Sequence, residues 1–350
     1  MRRRELFKAA GASLATLGAP RIGRAERPNK LVFGVHVDLS VLDPVVTGQR
    51  QTRNHAYLVF DTLYGIDTNW TARPQMVEGH QVEEDGLTWI LTLRDGLRFH
   101  DKEPVLARDV VASIRRFAAR ISFANVLMAA TEELSAPDDR TVRFRLKRAF
   151  PHLPEALAGP GANVPAIMPE RLAATSPFKP VAEIVGSGPY RFLPDEHISG
   201  ARAAYERFAL YQPRTDGAVG FTSGPKIAHF DRVEWLILDP FSAMAALRSG
   251  EIDRSVPNTN PYGNILIRAD GLAAYDGWPT SQRIEALRAA WLDTADLDQQ
   301  KRICADLQKQ LWEDVPFIPM GEYGQATAYR KHLTDIVPGC FATFYGLRMA

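Results

Sequence analysis

Histidine is the first side chain to consider as a source of chemistry, and the sequence has eight. None sits in an HExxH pattern, and no two stand at the spacing that places a pair of metal ligands on one helix face. His80 and His100 fall in a strand-rich stretch, where a histidine is more often exposed or hydrogen-bonded than basic and reactive. Ser187 lies in Gly186-Ser187-Gly188, which is not the GxSxG elbow of a serine hydrolase, and no partner base can be placed beside it. Cys304, in a helical pattern, and Cys340, in a turn-rich tail, have no metal-site spacing. In an oxidising compartment they are candidates for a disulfide, and equally for two buried thiols. Arg50 closes the polar loop Thr47-Gly48-Gln49-Arg50; its planar guanidinium can meet a carboxylate with two parallel bonds. The same four residues also describe a solvated surface loop. The inventory therefore favours binding over catalysis, and no cofactor is called for.

The elements that must position these residues alternate between strand and helix patterns. Lys30 to Val37 reads as a buried strand, ended by Leu42-Asp43-Pro44, where proline breaks regular structure. Arg53 to Tyr64 reads as a helix with Tyr57, Phe60, Leu63 and Tyr64 on one face. The clearest local signal follows: Leu87, Trp89, Leu91 and Leu93 alternate with Thr88, Ile90, Thr92 and Arg94 between the turns Asp85-Gly86 and Asp95-Gly96, as expected of antiparallel strands with one wet face. Leu97 to His100 begins a further strand. Leu106 to Ala119 reads as a helix, and Pro137-Asp138-Asp139 as a turn before the strand Thr141 to Leu146. Val233 to Leu238 is a strand, and Asp239-Pro240 opens a short helix ending near Gly250. Ser255 to Asn264 is a loop of prolines, asparagines and glycine. Gln282 to Asp293 and Leu297 to Trp312 are helices, the second capped by Asp296 with Gln299 three residues on and striped by Ile303, Leu307 and Leu311. A strand-like tail, Phe317 to Arg348, closes the chain.

The 350 residues are 45% hydrophobic and 24% charged, ordinary for a soluble globular chain with two or three cores. No stretch approaches the roughly 20 apolar residues that span a bilayer. Residues 1–25 stand apart: a basic start with Arg2, Arg3, Arg4 and Lys8, an apolar stretch from Ala9 to Pro20, then Gly23-Arg24-Ala25. That order is expected of an export signal, and Arg3-Arg4-Glu5-Leu6-Phe7-Lys8 has the twin-arginine form. Residues 1–25 carry six basic residues and one acidic; without them 36 basic residues face 40 acidic ones, a net charge of −4. No basic excess remains to suggest a nucleic-acid partner.

An ordered set of short motifs carries a resemblance to a known family. They are Leu42-Asp43-Pro44, Phe60-Asp61-Thr62-Leu63, Asp85-Gly86-Leu87-Thr88-Trp89, Leu93 to Asp101, Ala107-Arg108-Asp109-Val110, Gly186-Ser187-Gly188-Pro189-Tyr190, Ala246 to Asp253 and Glu313-Asp314-Val315-Pro316-Phe317-Ile318-Pro319. Together they cover nearly the whole chain after residue 25, and the sequence resembles the family 5 solute-binding proteins, which deliver peptides, nickel or other solutes to ABC importers. One departure is Lys102, where the family has glycine; if that turn needs a positive φ, lysine costs about 1 kcal/mol.

The resemblance implies a mixed α/β fold of the periplasmic-binding-protein-like type II kind, incomplete, with an added small β-rich lobe. Lobe I would be assembled from 29–70, 176–253 and 313–350, and lobe II would be the insertion 71–175. Residues 254–312 would be a junction loop and helices left from lobe III, with about 100–150 residues of that lobe absent. The absent part includes the aspartate that pairs with a peptide's α-ammonium in family members, and no counterpart is found. Its loss is expected to weaken peptide binding and to uncover apolar surface that favours self-association. The implied partners are a peptide or other small solute, the permease subunits of an ABC transporter and the twin-arginine export machinery. The implied location is the periplasm. By the same resemblance, Thr47, Gly48, Gln49 and Arg50 lie near the ligand cleft, and Tyr323 is a weaker contact, since aromatics there are more often core.

Overall fold

The computed structural model describes residues 29–83, 85–159, 161, 163–255, 268–273, 277–318, 327–337 and 342–350. The export signal with Arg3 and Arg4, most of the loop at 254–264, Tyr323 and Cys340 lie outside the described residues. The first half of the chain runs β1 (Lys30–Val35), α1 (Arg50–Val59), β2 (Tyr64–Ile66), β3 (Ala72–Pro74), β4 (Val77–Val82), β5 (Thr88–Leu93), α2 (Ala107–Ala118), α3 (Ser122–Ala130), β6 (Thr131–Ser135), β7 (Thr141–Leu146), α4 (Leu153–Ala158) and α5 (Glu170–Ala173). The second half runs β8 (Tyr190–Phe192), β9 (Arg202–Arg207), β10 (Arg232–Ile237), α6 (Pro240–Ser249), β11 (Arg254–Ser255), α7 (Gln282–Leu292), α8 (Leu297–Asp314), β12 (Ala328–Tyr329), β13 (Leu333–Thr334) and β14 (Arg348–Met349).

Two sheets organise the described chain. The larger has the order β12-β11-β1-β10-β9-β8. Its centre is parallel, with β1 between β10 and β11, and Phe33 opposite Trp235. Both flanks are antiparallel. The smaller sheet, β4-β5-β7-β6, is antiparallel throughout. The alternation in its sequence becomes a dry face and a wet one: Trp89, Leu91 and Leu93 of β5 and Val142, Phe144 and Leu146 of β7 are buried. Its hairpins are made by the turn residues expected. Gly86 takes φ +68°, and Asp138 accepts from the amides of Arg140 and Thr141, both at 2.8 Å. A single apolar core runs through both sheets, from Leu31 and Trp235 to Phe144 and Leu153.

The remaining helices obey local rules. The Asp239 side chain caps α6 by accepting from Phe241 and Ser242 amides, and Gly250 closes the helix at φ +86° as a left-handed C-terminal residue should. Asp296 caps α8 by accepting from Gln299 N at 2.7 Å. The stripe of Ile303, Leu307 and Leu311 is buried against Ile284 and Leu287 of α7, and these residues with Ala269 form a separate small core. No described helix is long and apolar enough to cross a membrane.

Three expectations need correction. The helix read over Arg53–Tyr64 is instead α1, Arg50–Val59, with Phe60 extended at φ −117°, ψ 150°. The cause is distant in sequence: Gly188 N donates to Val59 O at 2.8 Å, and a Cβ on Gly186 would lie 1.9 Å from that same oxygen. The strand expected from Leu97 is a single bridge, Arg98 to Pro104, because Phe99 and His100 turn inward and are buried. Cys304 is an exposed thiol on α8 rather than a buried one, since it lies off the Ile303–Leu307–Leu311 stripe. The conditional expectation at Lys102 is met: its φ is +75°.

Candidate functional site

The loop after β1 is held by a buried ion pair. Arg116 of α2 meets Asp43 with both terminal nitrogens, Nη1 to Oδ1 at 3.1 Å and Nη2 to Oδ2 at 2.7 Å, and both side chains are 1% exposed. Asp43 also accepts from Val45 N at 3.0 Å and Val181 N at 2.9 Å, so its lone pairs are filled as a buried carboxylate requires. Asn163 Nδ2 donates to the carbonyls of Pro44 and Val45. The Leu42-Asp43-Pro44 motif is thus an anchor, and it sets the course of residues 43–46.

One helical turn beyond Arg116, and past the end of α2, Arg120 is positioned by that loop. Its Nη2 donates to Val46 O at 3.0 Å, and its guanidinium lies 5.0 Å from the centre of the Phe178 ring, within cation–π range. Arg120 lines a cleft of about 470 Å³ between the α2–α3 corner and helix α7. That volume lies within the range of about 300–1,000 Å³ typical of small-molecule sites. Ala118, Ile121, Val126 and Leu292 give it apolar surface, and Ser122, Asn125, Arg268, Asp270, Glu285 and Arg288 give it polar groups. Arg268 pairs with Asp270 and Arg288 with Glu285, whose other oxygen accepts from Ala269 N at 2.6 Å. The segment 268–271 is tied to the start of α7 by Ser281 N to Ala269 O at 2.8 Å and Gly271 N to Pro279 O at 2.9 Å. Ser281 in turn caps α7 by accepting from Ile284 N.

Of the four loop residues singled out in the sequence, Thr47 is half-buried, Gly48 and Gln49 are exposed, and Arg50 is half-buried as the first residue of α1 rather than a loop residue. They follow Val46, whose carbonyl accepts from Arg120. None of them lines the cleft. Sequence reasoning missed Arg120, Arg268 and Arg288. The one available signal was Arg116 and Arg120, two arginines a turn apart at the C-terminal end of an amphipathic helix.

The other groups that resembled chemistry are committed to structure. Ser187 Oγ donates to Ile167 O at 2.9 Å and accepts from Asp61 N at 3.0 Å. His100 is buried, its Nε2 bonded to Gly188 O at 3.0 Å. Burial pushes its pKa down to about 4, against the contrary pull of that carbonyl. Burial likewise takes His55, bonded to Tyr205 OH at 3.0 Å, down to about 3. Burial opposes ionisation of Asp61, yet the Lys226 ammonium at 2.7 Å and the Tyr211 hydroxyl at 2.7 Å hold its carboxyl below the usual range. Among the described residues, no group of three or more His, Cys, Asp or Glu is placed to hold a metal ion.

Comparison with known proteins agrees with this architecture. Residues 71–286 match the bacterial extracellular solute-binding proteins, family 5. A probable peptide ABC-transporter periplasmic-binding protein of Sinorhizobium fredii is 40% identical over 257 residues, 72% of this chain and 48% of that relative. A glutathione-binding protein of Pectobacterium atrosepticum is 26% identical over 276 residues, 77% of this chain and 49% of the relative. The chain thus spans about half the length of these curated relatives. Among solved structures, a dipeptide-binding protein from Pseudoalteromonas sp. SM9913 in complex with Met-Leu superposes with a TM-score of 0.71 at 13% identity, covering 92% of this chain and 100% of that one. A periplasmic binding protein of Helicobacter pylori in complex with the peptide STSA gives 0.71 at 13% identity, covering 91% and 98%. These likenesses show a mixed α/β fold of the type II periplasmic-binding kind. The chain belongs to the family 5 bacterial extracellular solute-binding proteins.

Proposed function

We infer that the chain is the solute-capturing component of an ABC importer, that it works in the periplasm after twin-arginine export, and that its ligand is a peptide or other small solute held in the cleft between the α2–α3 corner and α7. The observation carrying this reading is the cleft itself: about 470 Å³, part apolar and part charged, with three arginines on its walls. The 40% identity to a peptide ABC-transporter protein over 72% of the chain supports the substrate class. Residues 29–70, 176–253 and 313–350 are assigned to lobe I, residues 71–175 to lobe II, and residues 254–312 to the shortened third lobe. The permease subunits are the partners that follow. Binding proteins of this kind close around a solute, and exclusion of water strengthens each polar contact.

A second reading rests on the chain spanning about half the length of its curated relatives. It makes the protein a ligand-silent remnant that acts through contacts with a transporter or with itself. Calorimetric titration of the purified protein with dipeptides and oligopeptides separates the two. Micromolar or tighter binding supports capture; no heat from any member of the library leaves the remnant reading standing and overturns the first.

A further inference from the structure

The charged groups on the cleft walls do not balance, and the imbalance points to what enters. Two carboxylates line the cleft, Asp270 and Glu285. Asp270 is taken by Arg268. Glu285 is taken by Arg288 on one oxygen and by the Ala269 amide on the other. Each carboxylate thus already has a cation beside it. Arg120 differs from both acids and from the other two arginines. Among the described residues no carboxylate pairs with it; it holds the Val46 carbonyl and lies over the Phe178 ring face. A guanidinium has five N–H donors, the Val46 carbonyl accepts from one nitrogen, and a ring face accepts none as a hydrogen bond. Arg120 therefore brings one positive charge and spare donors to the wall. Arg120 is itself exposed, and its attachment through Val46 leads back to the buried Asp43–Arg116 pair, which orients it.

We propose that the cleft selects its solute through a single carboxylate placed on Arg120 and, among the described residues, offers a free ammonium no unpaired carboxylate, so that its preferred ligands are N-blocked or amine-free carboxylates with an apolar body. The body would lie against Ile121, Val126 and Leu292. This rests on the reading of the cleft as the solute site. It separates the chain from a binder of zwitterionic peptides, in which a carboxylate complements the ammonium as the arginine complements the carboxylate.

Three probes test it on the whole protein by calorimetry: Ala-Phe, N-acetyl-Ala-Phe and Ala-Phe amide. The acetylated peptide is expected to bind at least as tightly as the free one, and the amide about tenfold or more weaker, the usual scale for one charge-assisted contact. Arg120→Gln is expected to bring the acetylated peptide down to the level of the amide, with Arg120→Lys between them and the melting curve unchanged. A tenfold preference for the free amine overturns the claim that an ammonium has no partner; equal binding of the amide and the acid, or an indifferent Arg120→Gln, overturns the carboxylate assignment; each leaves the cleft as a binding site. The wild-type comparison of probes needs no variant to fold. Absence of heat from all three probes, together with a silent peptide library, overturns the solute-site reading and this inference with it.

Discussion

The two walls of the cleft belong to regions stabilised in different ways. The α2–α3 corner is part of a body whose apolar core runs continuously through both sheets, and that body contains two ion pairs shut away from water, Asp43–Arg116 and Asp61–Lys226, with side chains no more than 1% exposed. The opposite wall is the α7–α8 hairpin. Its core consists of Ala269, Ile284, Leu287, Ile303, Leu307 and Leu311, with Trp291 packed alongside, while Leu297 and Trp312 are 62% and 61% exposed. The hairpin meets the body around Trp291–Asp293, with Leu292 packed against the main core. Trp291 stacks on His152 with ring centres 4.6 Å apart and planes 11° from parallel, its carbonyl meets His152 Nε2 at 3.2 Å, and Asp293 pairs with Arg148 at 2.6 Å in water. An exposed pair of that kind contributes about 0–1 kcal/mol. The contrast teaches that one wall is rigid and the other is held by a few contacts, so ligand-dependent movement is expected in the hairpin.

The largest expected effect comes from acid. His55 and His100 belong to the body, and burial lowers them to about 3 and about 4. Unfolded, both would take up a proton near pH 6.5. Between pH 6.5 and 4 the unfolded chain therefore binds more protons than the folded one, and stability falls as the pH falls. Each pH unit over which one histidine is protonated only in the unfolded chain removes about 1.4 kcal/mol. The contribution is complete above pH 6.5 and is lost as the pH drops through about 4 towards 3. The stretch 282–314 contains no histidine, so hydrogen exchange is expected to show the body loosening before the hairpin as pH falls from 6.5 to 4.5. The opposite order breaks the comparison.

Arg116→Ala comes next. It leaves the Asp43 carboxylate buried without its cation, an effect of about 3–5 kcal/mol, and a urea melt should show the body's midpoint falling accordingly. A loss below 1 kcal/mol would mean that the loop relaxes into water and the wall is not rigid. Leu307→Ala removes the centre of the hairpin core at a cost of about 2–5 kcal/mol. Amide protection in 282–314 should drop while the sheets keep theirs; a drop shared by both would show one cooperative unit. The smallest change is Lys102→Gly, where φ is +75°. Relief of that strain should raise the body's stability by about 1 kcal/mol, read as a small rise in melting temperature with no change in hairpin protection.

Much of this architecture is determined by short stretches of sequence. The alternation from Leu87 to Leu93 and from Thr141 to Leu146 became β5 and β7 because a strand turns one face to the core every second residue. Asp239 and Asp296 became helix caps because a carboxylate satisfies amides two or three residues on, and the Ile303–Leu307–Leu311 stripe became the inner face of α8. At Lys102 the sequence alone raised only a condition, through the family resemblance that puts glycine there; the φ of +75° came from the fold. What only the tertiary structure decided lies between residues far apart in the chain. α1 stops at Val59 because Gly186 and Gly188 arrive there, and Asp43 is an anchor because Arg116 reaches it from 73 residues away. Arg120, Arg268 and Arg288 come to line a single cleft. Propensity and spacing act over a few residues, whereas ion pairing and cavity shape depend on distances through space that no local pattern encodes.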